Sequence, residues 1–126
     1  MSGGAVSINA AAVVCNGSVV TSDESLKNII NNISPSVESI ANTRTVDYEF
    51  KSNTGNIHSG AIAQDWQSIL PNTVKTIDDD QHLGFDYASA ALISAVVDAR
   101  EIVALKQENA ELKERLAAIE AKLAQL

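Results

Sequence analysis

"EIVALKQENAELKERLAAIEAKLAQL", residues 101–126, decides how the rest of the chain is read. A heptad runs through it without interruption. Ile102, Asn109, Leu116 and Leu123 occupy a, and Leu105, Leu112, Ile119 and Leu126 occupy d. The flanking charges agree: Glu101 would meet Lys106 of a neighbouring helix, Glu108 would meet Lys113, and Arg115 would meet Glu120. All three pairs have opposite sign, as a parallel in-register coiled coil requires, whereas a helix packing on its own domain needs no such match. Asn109 in the seam costs stability but fixes the alignment of the strands. Leu at a with Ile at d leans above two strands while a single core Asn is common in dimers, so the seam leaves the number of chains open. Upstream, the same register places Asp98 at d, and Leu92, Val96, Ala99 and Val103 make a better stripe. That change predicts a stammer, or a handover to a head domain, near residues 99–102.

The chain has 126 residues, room for one modest domain plus an appendage. Apolar residues make up 45% of it, yet many are Ala and only five side chains are aromatic, a composition that predicts assembly with other chains. The net charge is −7, and residues 1–97 carry ten acids against four bases. No basic stripe exists, which argues against nucleic acid as a partner. Cys15 is the lone cysteine and sits beside Val13 and Val14, so it reads as a small hydrophobe and not a redox centre. No apolar run is long enough to span a bilayer, and no basic n-region precedes the first apolar stretch, so neither a membrane partner nor an export signal is expected. "MSGG" reads as an initiator and a flexible linker.

Working back from the helix, four zones separate. Residues 5–21 are small and β-branched around Asn16-Gly17, which predicts short strands and a hairpin, the tail end of a β-rich body continuing upstream. In the second zone Leu26, Ile29, Ile30 and Ile33 lie at helical spacing before Ser34-Pro35, predicting a short amphipathic helix, with a weaker turn near Val37–Ala41. In the third, Val46, Tyr48 and Phe50 alternate with Asp47, Glu49 and Lys51, "SNTGN" turns the chain, and "IHSGAIA" returns as a strand. "AQDWQSILP" reads as a short helix ended by Pro71, and "TVKTI" and "HLGFDY" as strands around Asp78-Asp79-Asp80. A calcium loop counted from Asp78 would need Gly at its sixth place and Glu at its twelfth, but Leu83 and Ser89 stand there. The acidic run is read as a solvated turn, and His58 and His82 lack the spacing of a metal site. No metal or cofactor is expected.

The nucleophile inventory then reduces to "VVTSDESLK", residues 19–27. Ser22 and Lys27 could form a Ser–Lys dyad if desolvation favours the neutral amine, which would accept the Ser22 proton. The alkoxide would attack a nearby carbonyl such as that of Thr21, a single self-cleavage event with no outside substrate. A capping box reads the same letters differently, with Thr21 as cap, Glu24 reaching back, and Asp23 and Lys27 as an i,i+4 pair. Geometry separates the two readings. In a continuous helix Ser22 and Lys27 would point about 140° apart at roughly 100° per residue. The dyad therefore needs Ser22 outside the helix that carries Lys27, or needs the two to meet across chains.

Taken in order, residues 19–126 resemble the C-terminal intramolecular chaperone domain of bacteriophage tailspikes, tail fibres, neck appendages and endosialidases. "SDESLK", "DYEF", "HSGAIAQDWQSILP", "LGFDY" and the closing helix carry the resemblance. One position departs from the family pattern, which usually has a basic residue after Ser-Asp-x where this chain has Ser25. The resemblance implies a homotrimer that holds three copies of the preceding β-rich fibre in register, then leaves by autoproteolysis. Cleavage would fall at the Thr21–Ser22 bond, with Ser22 as nucleophile and Lys27 as general base.

The expectation is thus an α+β chain: residues 1–21 end the fibre, 22–88 form a head of short helices and antiparallel strands, and 89–126 form a helix of a parallel trimeric coiled coil. Its partners would be two further copies of itself and its own upstream fibre, with no small-molecule substrate, and it would act in the host cytoplasm during virion assembly. Two other readings compete. One is a structural trimerisation tip that never cleaves. The other is a carbohydrate- or receptor-binding tip using Trp66, Tyr48 and Tyr87, although Trp66 is spaced with Ile69 and Leu70 as a core residue would be.

Overall fold

In a computed structural model the chain divides into two units, Met1–Ser34 and Pro35–Leu126. The structure describes residues 22–126 and, ahead of them, the backbone of three short strands. These strands, β1 (Val6–Ile8), β2 (Val13–Cys15) and β3 (Ser18–Val19), form an antiparallel sheet in that order. Cys15 pairs with Ser18, so a hairpin forms where Asn16-Gly17 predicts one, although those two residues lie outside the described ones.

After a 3-10 turn at Glu24–Leu26, residues 27–34 have no regular structure. The amphipathic helix expected over Leu26–Ile33 is therefore absent. Helical spacing alone does not nucleate a helix, because fixing the first turn costs more than one hydrogen bond returns. Asn28, Asn31 and Asn32 compete for the backbone, the isoleucines are stiff at χ1, and Ser34-Pro35 closes the segment. Only packing of the apolar face would offset this, and Leu26, Ile29, Ile30 and Ile33 are all exposed.

The second unit opens with α1 (Val37–Ala41), where the Ser36 hydroxyl accepts the Ser39 N–H at 3.1 Å. β4 (Thr45–Phe50) and β5 (Asn53–Ala61) pair antiparallel, with Tyr48 opposite His58 and Phe50 opposite Asn53. The reversal uses only Lys51 and Ser52, tighter than the predicted "SNTGN" turn. The surplus residues of β5 bulge instead: Gly55 takes φ +89°, open to glycine, and its N–H donates to Glu49 Oε2 at 2.6 Å. Val46 and Tyr48 are half-buried, as the alternation predicts, but Phe50 at the strand end is exposed.

α2 (Ala63–Trp66) is followed by a 3-10 turn at Pro71–Thr73 and by the antiparallel pair β6 (Val74–Thr76) and β7 (Leu83–Phe85). Between these strands Asp78 organises the acidic turn, accepting the N–H groups of Asp80 and His82 at 3.0 and 3.1 Å and bonding the His82 ring at 2.7 Å. Arg44, just before β4, is tied to Asp65 of α2 by two side-chain bonds of 2.8 and 2.9 Å and by its own N–H at 3.0 Å.

α3 (Tyr87–Ala124) runs 38 residues, about 57 Å at 1.5 Å per residue. Asp86 caps it by accepting from Ser89 N at 3.1 Å and Ser89 Oγ at 2.7 Å. Its first three turns close the head: Ala90 is buried with Trp66 and Leu70, and Ile40, Ala61, Ile69, Val74, Phe85 and Ile93 pack around them. Val97 is buried one turn further on. Tyr87 hooks back on the hairpin, its hydroxyl accepting the Ala61 N–H at 2.9 Å. Gly60 makes room for that hook, since a Cβ there would collide with the Tyr87 hydroxyl. Short helices, antiparallel strand pairs and a long C-terminal helix are the α+β arrangement the sequence predicts.

Candidate functional site

The site is built from six consecutive residues. Asp23 is extended (φ −71°, ψ 130°) and caps the 24–26 turn, its Oδ1 accepting the Ser25 N–H at 2.8 Å and the Ser25 hydroxyl at 2.6 Å. Leu26 N–H to Asp23 O at 3.1 Å and Lys27 N–H to Glu24 O at 3.0 Å complete one turn. Lys27 then leaves it extended (φ −119°, ψ 139°). Ser22 therefore stands before the turn and Lys27 at its far end, and a single reversal brings their side chains together. Lys27 Nζ donates to Ser22 Oγ at 2.5 Å within one chain.

This is the geometry the dyad requires and the capping box forbids. Asp23 caps the 24–26 turn, and the cap expected at Thr21 lies outside the described residues. Asp23 and Lys27 do not face each other as a helical i,i+4 pair, because no α-helix connects them. The two Ser25 donors, the hydroxyl first, hold the Asp23 carboxyl below the usual carboxylate range, so it remains a fixed negative charge beside the pair. Ser22 and Lys27 are both exposed in the single chain.

The remaining candidates fall elsewhere. Ile102, Leu105, Asn109, Leu112, Leu116, Ile119 and Leu123 lie on α3, and Leu126 lies just past its end. The apolar members of the group are all more than half exposed. Val103, on the neighbouring stripe, is exposed as well. His58 stacks on Tyr48 at 5.5 Å and meets Phe50 edge-on, and His82 is held by Asp78. Among the described residues no group of three His, Cys, Asp or Glu could hold a metal, and no helix is long and apolar enough to cross a membrane.

An open hollow of about 590 Å³ lies between the hairpin and β7, lined by Val46, Gly60, Trp66, Phe85 and Tyr87 among others. Of the three aromatics considered for carbohydrate or receptor contact, Trp66 is buried at 7% exposed, Tyr48 is half-buried, and Tyr87, though bonded to Ala61, remains 49% exposed. Sequence reasoning missed the part Ser25 plays. The signal was Asp-x-Ser, a short acceptor followed two residues later by a backbone and a hydroxyl donor.

Residues 22–75 match the family of the chaperone of endosialidase. The match begins at Ser22 itself and takes in the turn, the β4–β5 hairpin, α2 and the start of β6. It bears out the resemblance to the C-terminal intramolecular chaperone domain of phage tail proteins and supports an intramolecular chaperone role. For that family the natural associate is the upstream fibre segment of the same chain. No curated protein and no solved structure matches the chain significantly.

Proposed function

We propose that three copies of this chain assemble in parallel through α3, hold the upstream fibre segments in register, and are released when Ser22 and Lys27 cut the Thr21–Ser22 bond. The carrying observation is the Lys27 Nζ to Ser22 Oγ hydrogen bond across the 24–26 turn. Neutral Lys27 takes the Ser22 hydroxyl proton as Oγ bonds to the Thr21 carbonyl carbon. The C–N bond breaks, and the Ser22 nitrogen leaves with the proton from Lys27. An ester now joins the halves. Water, giving a proton to Lys27, attacks that ester; Thr21 leaves as a carboxylic acid and Ser22 Oγ regains its proton. One cut per chain results, with no external substrate.

The assembly logic is physical. An intertwined β-fibre makes mostly non-local, interchain contacts, so chain association costs entropy before contacts reward it. Parallel helices associate through local periodic surfaces, set the stagger and raise the effective concentration of the attached segments. Removing them afterwards leaves a fibre that is kinetically hard to take apart. On this reading the chain works in the host cytoplasm while virions are built.

The exposure of Ser22 and Lys27 favours a second reading, a trimerisation tip that never cuts. Intact mass of the chain with its upstream fibre separates the two. Wild type should split before Ser22, while Ser22→Ala and Lys27→Ala stay whole; a wild type that also stays whole makes the non-cleaving tip the better account.

A further inference from the structure

Ser25 takes no part in the bond changes written above, yet its side chain is fixed as firmly as that of Ser22. Its hydroxyl and its N–H converge on one oxygen of Asp23, at 2.6 and 2.8 Å. We propose that Ser25 is a positioning residue for self-cleavage: together with Asp23 it clamps the 24–26 turn and so holds Lys27 Nζ on Ser22 Oγ. The inference rests on the self-cleavage reading.

Little else within the described residues holds this turn. It is three residues long, buries no side chain, and closes with two backbone hydrogen bonds. A single turn of that kind is not self-supporting, since its nucleation cost is not recovered by propagation. Lys27 must also reach back over the turn on a flexible four-carbon stem, so a modest change in φ and ψ at residues 24–26 carries the amine off Ser22. The clamp removes that freedom at its source. Asp23 is adjacent to the nucleophile and Ser25 is two residues from the base, so locking one to the other fixes both approaches. The hydroxyl gives the Asp23 carboxylate a donor without setting a second cation beside Lys27.

The test is the rate of cleavage of the full chain with its upstream fibre, in wild type, Ser25→Ala, Ser25→Thr and Asp23→Ala, followed by intact mass. Light scattering and thermal melting of each variant, in a Ser22→Ala background that stays whole, report assembly and folding. Loss of one hydrogen bond to a charged group should slow Ser25→Ala roughly tenfold. Asp23→Ala should be slower still, and Ser25→Thr, which keeps the hydroxyl, should restore most of the rate. Trimer fraction and melting should not change. Amide exchange at Leu26 and Lys27 should quicken when Ser25→Ala is added to Ser22→Ala. A wild type that cuts while Ser25→Ala cuts equally fast overturns the positioning role alone. So does Ser25→Thr as slow as Ser25→Ala, or slowing that tracks a lower melting temperature. A wild type that never cuts overturns the self-cleavage reading, and the positioning role with it.

Discussion

Leu112→Ala is the sharpest test of assembly through α3. Leu112 sits at d in the middle of the seam and is 51% exposed in the single chain, so about half of its surface remains to be buried when chains meet. Burying a whole leucine stabilises by roughly 1.5–3 kcal/mol, so transfer of that half is worth about 1 kcal/mol per chain. The cavity left at the axis adds to it, and 2–3 kcal/mol per chain lies at the low end of measured core truncations. Three chains lose roughly 6–9 kcal/mol together, or about four to six decades in the trimer association constant. Because that constant scales with concentration squared, the half-assembly concentration should rise by about two to three decades. Sedimentation equilibrium over a dilution series of Leu112→Ala and wild type reads this directly. Glu114→Ala is the control: Glu114 is exposed and lies at f, on the side of the helix away from the seam, so its midpoint should barely move. Equal shifts for the two variants, or a larger one for Glu114→Ala, would refute the register. A wild type that stays monomeric at micromolar concentration would remove the coiled coil.

Two further outcomes follow from named residues. Asn109→Leu replaces the polar residue of the seam, so the melting temperature should rise while stoichiometry loses its single value in light scattering; a lower melting temperature would show that Asn109 lies outside the core. Asp65 has its carboxyl held below the usual carboxylate range, first by the hydrogen bond from the Arg44 side chain. A depressed folded value adds stability that is complete above the unfolded value and is lost as pH falls through the folded one. Melting should therefore drop below about pH 4, and Arg44→Met should flatten part of that acid limb. The rest persists through Asp78 and Asp86, which His82 and Ser89 hold down in the same way. An unchanged acid limb in Arg44→Met would show the pair to be inert.

What could be read from the letters tracks the range of the interactions. The long C-terminal helix and the alternation of Val46 and Tyr48 rest on local, periodic patterns and appear where expected, whereas the helix expected to run to Pro71 ends at Trp66 and Pro71 opens a separate 3-10 turn. The 26–33 segment shows the limit, because periodicity states which face would pack and not whether anything packs against it. With Ile30 88% exposed, no packing among the described residues offsets the cost of helix nucleation there. The tie between Arg44 and Asp65 spans 21 residues and that between Tyr87 and Ala61 spans 26, so no local pattern announces them. At the site, Ser22 and Lys27 were legible as residue types, and the alternative of a helix or a reversal between them was legible as a question. Its answer depended on Asp23 bonding Ser25 instead of facing Lys27, a choice between two local acceptor geometries that sequence spacing leaves equal.

The site and the assembly surface are coupled by what each lacks. Among the described residues, the contacts that join Ser22 to Lys27 lie within residues 22–27. What surrounds the pair is open, since Ser22 and Lys27 are both exposed in the single chain. On the proposed reading the seam of α3 is in the opposite condition: its residues are in place along one helix, and other chains would bury them. Under the proposed self-cleavage, a chaperone that must not cut too early would be served by this division. Local sequence would set the distance between nucleophile and base from the start, and enclosure of the pair would be left to whatever the chains and the fibre build around it. Clamping the 24–26 turn with Ser25 would then matter most before assembly, since it would keep the amine on its serine while the site is still open to water.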